Sequence, residues 1–481
     1  MRIYLILSML MLFSIRGLTQ KTYIPDDNFE QALINQGYDD FLDDSVTSSK
    51  IRWITILVID GLEIQDLTGI EDFTALNTLQ CFDNQLTSLD ISANTVLTRL
   101  WCNSNQLTSL DVSANTALTE LMCYNNHITS LDISANTVLT RLWCNVNQLT
   151  SLDVSANTAL ESLMCDDNQL TSLDVSANNT LNTLWCFSNQ LTSLDVSANT
   201  ALNILDCSDN QLTSLDVSAN TALNTLQCFD NQLTSLDISA NTVLNRLWCN
   251  SNQLTSLDVS ANTALTVLMC YNNHITSLDI SANPTLNTLG CNDNQLTSLD
   301  VSANTALIDL TCSNNQIPSL DVSANTAINI LDCSDNQLTS MDVRNGNNGN
   351  TNDFNSTDNP DLKCIFVDDK NASLLNYWII DTNSTFVETE MECNALAIKN
   401  SMKETGNIIF PNPSFGNFTV DLGNTFSEIE VIVRNTLGQE ITKELFYNSS
   451  IIQFSVKEGT GVYFFEVNAD NQRYFNKVII K

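Results

Sequence analysis

Leu76 to Val96 reads LNTLQCFDNQLTSLDISANTV, and Leu97 opens the next copy of the same phrase. Thirteen of the chain's 15 cysteines fall at Cys81, Cys102, Cys123, Cys144, Cys165, Cys186, Cys207, Cys228, Cys249, Cys270, Cys291, Cys312 and Cys333, each 21 residues after the last. In Leu79-Gln80-Cys81 strand alternation turns the two apolar side chains one way and the middle one the other. Leu89 and Ile91 flank Asp90 in the same manner. One such coil has too little apolar surface to fold alone, so stacking must join the coils into a shared core. The period therefore predicts a parallel-β solenoid with short turns or 3-10 segments on its convex side. Fourteen coils at about 4.8 Å each would extend roughly 65 Å.

The pattern LxxLxCxxNxL resembles the leucine-rich repeat, with Cys in a slot that usually holds Leu, and thirteen units keep it in phase over residues 76–343. The resemblance implies that Asn84 and its equivalents through Asn336 form a buried ladder of amides bonding the backbone of adjacent turns. Such a ladder would satisfy a turning, buried backbone. Asp90 and its equivalents through Asp342 recur as often, and read as a solvated acidic stripe more readily than as a calcium-binding column. The ladder cysteines match no CxxC zinc spacing and are odd in number, so they read as small core hydrophobes. No cofactor or metal is expected.

Over the whole 481 residues, 19 Lys and Arg stand against 55 Asp and Glu, a net charge of −36. Residues 76–343 hold 25 acids and three Arg, hence −22. This balance argues against nucleic acid as a partner, since phosphate binding needs clustered bases. Two His leave little room for histidine-centred chemistry. His127 and His274 are copies of each other, because residues from Leu76 onward return almost verbatim from Leu223, 147 residues later.

Residues 1–20 carry one early Arg, an apolar run from Ile3 to Ile15 and a polar exit, the form of a secretory signal peptide. The run is short for a membrane span, and no transmembrane segment is expected in the mature chain. Residues 21–75 read as an N-terminal cap. Pro25–Tyr38 suggests a helix with Phe29, Ala32 and Leu33 on one face. Ile54–Ala75 is a degenerate first coil that resembles an internalin-like repeat. Residues 344–393 read as a C-terminal cap, in which Cys364 and Cys393, the two cysteines outside the ladder, are expected to form a disulfide in an exported chain. Residues 394–408 suggest a linker.

Residues 409–481 differ in composition, with six basic and eight acidic residues, and their short runs suggest a small β-sandwich. The expected strands are Asn417–Leu422, Ile429–Arg434, Ile451–Val456, Val462–Val467 and Tyr474–Ile480. Phe410-Pro411-Asn412-Pro413, Gly416, Phe418, Asn435-Thr-Leu-Gly438, Gly461-Val462-Tyr463-Phe464 and the terminal Lys477-Val-Ile-Ile-Lys481 resemble the type IX secretion (Por) sorting domain. The resemblance implies engagement of the type IX secretion machinery and a location outside the cell or on its outer surface.

Strand alternation turns the slot before each ladder Cys outward, and the leucine-rich-repeat resemblance implies that this is the concave side, where ligands usually bind. The slot holds Trp101, Met122, Trp143, Met164, Trp185, Trp248 and Met269, and Arg99, Arg141 and Arg246 stand two positions before three of the Trp. An exposed column of this composition is that of an interaction hot spot. The expected function is a non-enzymatic binding scaffold or adaptor for a protein ligand. A glycan-binding adhesin is the alternative, since sugars also stack on Trp. A carbohydrate-degrading enzyme using Asp166, Asp167, Asp206 and Asp209 is more remote. No GxSxG, HExxH or P-loop motif is present, and no catalytic residue is assigned.

Overall fold

The computed structural model describes residues 20–401, 408–457, 459–470 and 472–481. The signal peptide expected at residues 1–20 thus lies, except for Gln20, outside the described residues. The chain divides into two compact units, Met1–Phe386 and Val387–Lys481.

The first unit begins with strand Lys21–Tyr23, paired antiparallel with Ser45–Thr47, and helix Asp27–Asn35. Phe29, Ala32 and Leu33 are buried as the apolar spacing requires, and Phe29 stacks on Phe73 of the first coil. Asp26 caps the helix by accepting from the backbone N–H of Asn28 and Phe29 at 3.0 Å. Its second oxygen accepts from Gln65 and Asp66, so one carboxylate ties the cap to the solenoid. Buried Glu30 holds the following loop through the N–H groups of Asp43, Asp44 and Ser45.

From Ile56–Val58 to Asp353–Asn355, fifteen three-residue strands form one parallel sheet. Within the repeats each residue pairs with its equivalent one period on, as in Leu79↔Leu100 and Leu205↔Leu226. One turn buries Leu76, Leu79, Cys81, Leu86, Leu89 and Ile91, and the next turn repeats the set. Between strands the chain returns through bends and turns until the last turns, where Ser319–Asp321, Ser340–Asp342, Cys364–Phe366 and Thr385–Val387 form a second, four-stranded sheet, and the 3-10 segments sit in the flanks, at Ile70–Asp72, Asn348–Asn350 and Ser373–Tyr377. The residue two places after each ladder Cys has positive φ, from Asp83 (55°) to Asp335 (50°). Asp, Asn and Ser fill most of these positions, whereas Val146 is β-branched at φ 53°, a poor fit to the left-handed region.

The last turns close on Phe354 and Trp378, whose rings stack at 4.0 Å, while the Trp378 indole N–H donates to the carbonyl of Thr351. Cys364 and Cys393 are disulfide-bonded. Where a linker is expected from residue 394, a helix spans Glu390–Ser401; the rest of that stretch, 402–407, lies outside the described residues.

The second unit contains a five-stranded antiparallel sheet from Ile408 to Ile480. The two expected strands Asn417–Leu422 and Ile429–Arg434 are one strand, Asn417–Asn435, with a register shift between Asp421 and Phe426. Val433 pairs with Phe465, and Phe418 stands fifteen residues earlier, about 50 Å away along a straight strand. Yet the Phe418 and Phe465 rings lie 5.0 Å apart. The strand therefore bends sharply at the shift, and a single sheet folds over its own core instead of two sheets being bonded separately.

Candidate functional site

In each repeat strand the first and third residues alternate with the buried middle Leu, and the residue after the ladder Cys continues the alternation. The middle Leu and the Cys are buried. The register places Trp101, Met122, Trp143, Met164 and Trp185 side by side on five consecutive strands. Trp248 and Met269 form a second run. Here the structure corrects the expectation of an exposed column: every one of these Trp and Met side chains is half-buried. Strand spacing is narrower than an indole is wide, so each lies against its neighbours and shows one edge or face.

Local contacts fix the orientation of several. The Trp143 indole N–H donates to Ser162 Oγ at 3.3 Å, and its ring sits 6.4 Å from that of Tyr124. Trp185 lies 6.3 Å from Phe187. The indole nitrogens of Trp101 and Trp185 are buried without a protein acceptor. Met269 runs over Gly290, where a Cβ would stand 2.6 Å from its sulfur, so the missing side chain at Gly290 ends the second run. Arg99, Arg141 and Arg246 are exposed. Arg99 lies 3.7 Å from Glu120. Arg141 and Trp143 line a cavity of about 760 Å³ together with Glu161, Ser162, Asn182 and Thr183, among others.

The four carboxylates considered for hydrolytic chemistry separate into two kinds. Asp167 and Asp209 are exposed in the positive-φ turns, whereas Asp166 and Asp206 are 2% and 7% exposed. Burial pushes Asp166 up to about 7. Asp206 is also raised by burial, and it accepts from the N–H and hydroxyl of Ser208. His127 and His274 are exposed and belong to separate turns.

The recurrent polar residues act on the backbone. The Asn105 amide donates to the carbonyls of Cys81 and Cys102 at 3.0 and 3.1 Å, and its oxygen accepts from Leu86 N–H at 2.9 Å. A second ladder, which sequence reading missed, runs through Asn94 and its equivalents to Asn325. Asn220, fully buried, donates to the carbonyls of Val196 and Asn199 at 2.9 Å each. Its strict 21-residue recurrence was the signal that could have revealed it. Asp90 and most of its equivalents close a tight turn: Asp90 Oδ1 accepts from Ser92 N–H at 3.0 Å. The serine's side chain and backbone together hold that carboxyl below the usual range. The thirteen ladder cysteines are free thiols and buried, and burial pushes Cys81 up to about 12. They therefore stay protonated and unreactive near neutral pH.

Residues 408–481 match the family model described as the secretion system C-terminal sorting domain. The solved functional domain of internalin J from Listeria monocytogenes, which includes a cysteine ladder, is 29% identical, with a TM-score of 0.59 over 96% of this chain and 98% of that one. Internalin F from the same species is 26% identical, with a TM-score of 0.59 over 64% of this chain and 94% of that one. A leucine-rich-repeat protein of Leptospira interrogans is 22% identical at a TM-score of 0.54, covering 69% and 97% of the two chains. By sequence, 73 residues are 39% identical to internalin J of a serotype 4b strain; they make up 15% of this chain and 8% of that protein. Among the described residues no helix is long and apolar enough to cross a membrane. The sorting domain marks the chain for type IX export to the cell surface or the medium. Repeat, register and tail together make this chain a leucine-rich-repeat protein of internalin-like build that carries a type IX secretion sorting domain.

Proposed function

We propose that this exported protein is a non-enzymatic scaffold whose concave Trp/Met/Arg face docks a protein partner at the cell surface. The observation that carries the reading is the register: Trp and Met alternate on five adjacent strands, with Arg at the strand starts beside Trp101 and Trp143. Half-buried indoles are already ordered, so a partner covering them loses little side-chain entropy in exchange for apolar contact. Trp and Arg dominate the energetics of protein interfaces. The internalin-like build of the neighbours supports the same class of function.

The test is capture of partners by the mature chain, compared with the Trp143→Ala variant, alongside a glycan array. Loss of at least tenfold in affinity for a captured protein is expected, since removing a central aromatic costs about 2 kcal/mol or more. Unchanged capture by the variant, or glycan binding in place of protein binding, would reject the proposal.

A further inference from the structure

Asp166 breaks the rule of its own row. The slot after each ladder Cys holds Phe, Tyr, Asn or Ser in twelve of the thirteen units, and an acid only here. The period sets Asp166 between Asn145 and Phe187 of the flanking turns, two residues beyond Met164 in the Trp143–Met164–Trp185 run. Its side chain is almost wholly enclosed, and its Oδ1 is buried without a protein donor.

The surroundings give a negative charge no partner. Residues 76–343 hold three Arg and no Lys. Arg141, the cation of the neighbouring turn, is exposed and begins its strand, four residues before Asn145. The titratable groups that act on Asp166 from its own turn and the turns beside it are the carboxyls of Asp167 and Asp206 and the thiols of Cys144, Cys165 and Cys186. The two carboxyls carry the same sign, and the thiols are neutral at pH 7. Burial lifts Asp166 to about 7, against the opposing effect of its own N–H and the Asn145 amide.

The neutral acid therefore fits this packing, whereas an unpaired carboxylate enclosed there is strongly disfavoured. A charge formed at Asp166 must draw in water between the turns or a donor that swings towards it. The next turn carries an unused donor, the Trp185 indole N–H, buried without a protein acceptor. Either route disturbs the Trp185–Phe187 pair, whose rings lie 6.3 Å apart.

We infer that Asp166 is a pH-sensitive switch beneath the Met164–Trp185 part of the stripe: protonated, it permits the half-buried packing seen here, and ionised, it repacks Trp185 and admits water. The slots that correspond to Asp166 beside Trp101, Met122, Trp248 and Met269 hold Asn103, Tyr124, Asn250 and Tyr271, so the switch is local. Its effect on a partner rests on the docking face proposed above. The switch itself belongs to the chain alone and is tested without a partner.

The test is an NMR titration of the mature full-length chain, carrying 13C-methyl methionine and 15N-indole tryptophan, from about pH 5 to about pH 9. The Met164 methyl and the Trp185 indole should move together through one transition with a midpoint of about 7. Met269, in a distant turn, should stay flat. Asp166→Asn should abolish the transition. Asp206→Asn should keep it and lower its midpoint, because one like charge is gone. Thermal melts supply a second reading. A raised folded pKa means that stability is lost as the acid ionises, so the parent should lose melting temperature relative to Asp166→Asn between about pH 4 and about pH 7, and no further above that. A Trp185 indole that stays fixed while Met164 titrates makes Asp166 a buried acid without a switch and overturns the inference. A transition that survives in Asp166→Asn, or the absence of any transition in the parent, overturns it as well. None of these outcomes touches the docking face, which stands or falls with Trp143→Ala.

Discussion

The repeat array and the C-terminal domain reach stability by opposite routes. In the array the partners that join strands lie about one turn away, and each strand position meets its own equivalent. The core is Leu, Cys and amide, and ion pairs are almost absent: Arg99–Glu120 is the one between residues 76 and 341 among the described residues. In the C-terminal domain Asn417–Asn435 pairs with strands beginning at Glu440 and Gly461, and Phe418, Phe454 and Phe465 close a single aromatic centre. Arg434 and Arg473 converge on the nearly buried Glu466, and Lys443 meets Glu430. A one-dimensional stack can lose a turn and close again, whereas a folded-over sheet has no dispensable strand.

Deletion breaks that comparison most severely. Removal of Leu139–Ala159, one 21-residue unit, joins matching surfaces and should leave a cooperative melt near that of the parent. Removal of about ten residues puts polar groups in the Leu and Cys slots, at about 1–3 kcal/mol for each buried unpaired group. Calorimetry of the two variants should show a lost or broadened transition only for the second. Equal melting would refute the nearest-neighbour picture.

Alkali should separate the two regions next. Burial holds the ladder thiols protonated, with Cys81, Cys123 and Cys270 raised to about 12. Their folded pKa lies above the unfolded value, so the stability they contribute is complete below about pH 8.5 and falls as pH rises towards 12. Thirteen thiols act together in the array, and residues 409–481 contain none. All six Trp are in the repeats or their caps, at residues 53 to 378, so indole emission follows the solenoid and its caps and not residues 409–481. The solenoid's melting temperature should drop steeply above pH 9. A flat profile to pH 11 would contradict the buried-thiol core.

Single side chains sharpen the contrast. Phe465→Ala should cost the C-terminal domain about 3–5 kcal/mol by opening a cavity at the aromatic centre. Asn210→Ala removes the donor to Cys186 and Cys207 carbonyls and the acceptor for Leu191 N–H, at about 2–4 kcal/mol. Hydrogen exchange should rise across the whole domain in the first case, and mainly over the turns flanking residue 210 in the second. The smallest effect has the opposite sign. Val146→Asn relieves a β-branched residue at φ 53° and should stabilise the array by about 1 kcal/mol, read as a slightly higher denaturant midpoint.

Legibility in the sequence followed the same division. The 21-residue phase was enough to predict coil, strand and inward Cys, because an error at one unit would recur in thirteen, and the leucine-rich-repeat resemblance implied the Asn84 ladder. Alternation located part of the C-terminal strands, but it missed Ile408–Phe410 and the Glu440–Ser450 part of Glu440–Ser455, and it did not join Asn417–Leu422 to Ile429–Arg434, since Gly423 and Asn424 read as a turn and are instead a bend within one strand. At the candidate site the identity and order of Trp, Met and Arg were legible. Their half-burial was not, because alternation assigns a side to a residue and says nothing of how closely its neighbours crowd it.

By itself the sequence determined the repeat, its direction of burial and the export tail. Periodicity acts through local alternation and apolar spacing, and short motifs survive without knowledge of distant contacts. Tertiary structure alone decided which backbone groups of adjacent turns each amide bonds, that Asp166 and Asp206 are buried, and that Arg246 lacks the acid Arg99 has. Each of these depends on a group one turn away in space but 19 to 24 residues away in the chain, and only stacking brings such groups within reach of a hydrogen bond or an ion pair.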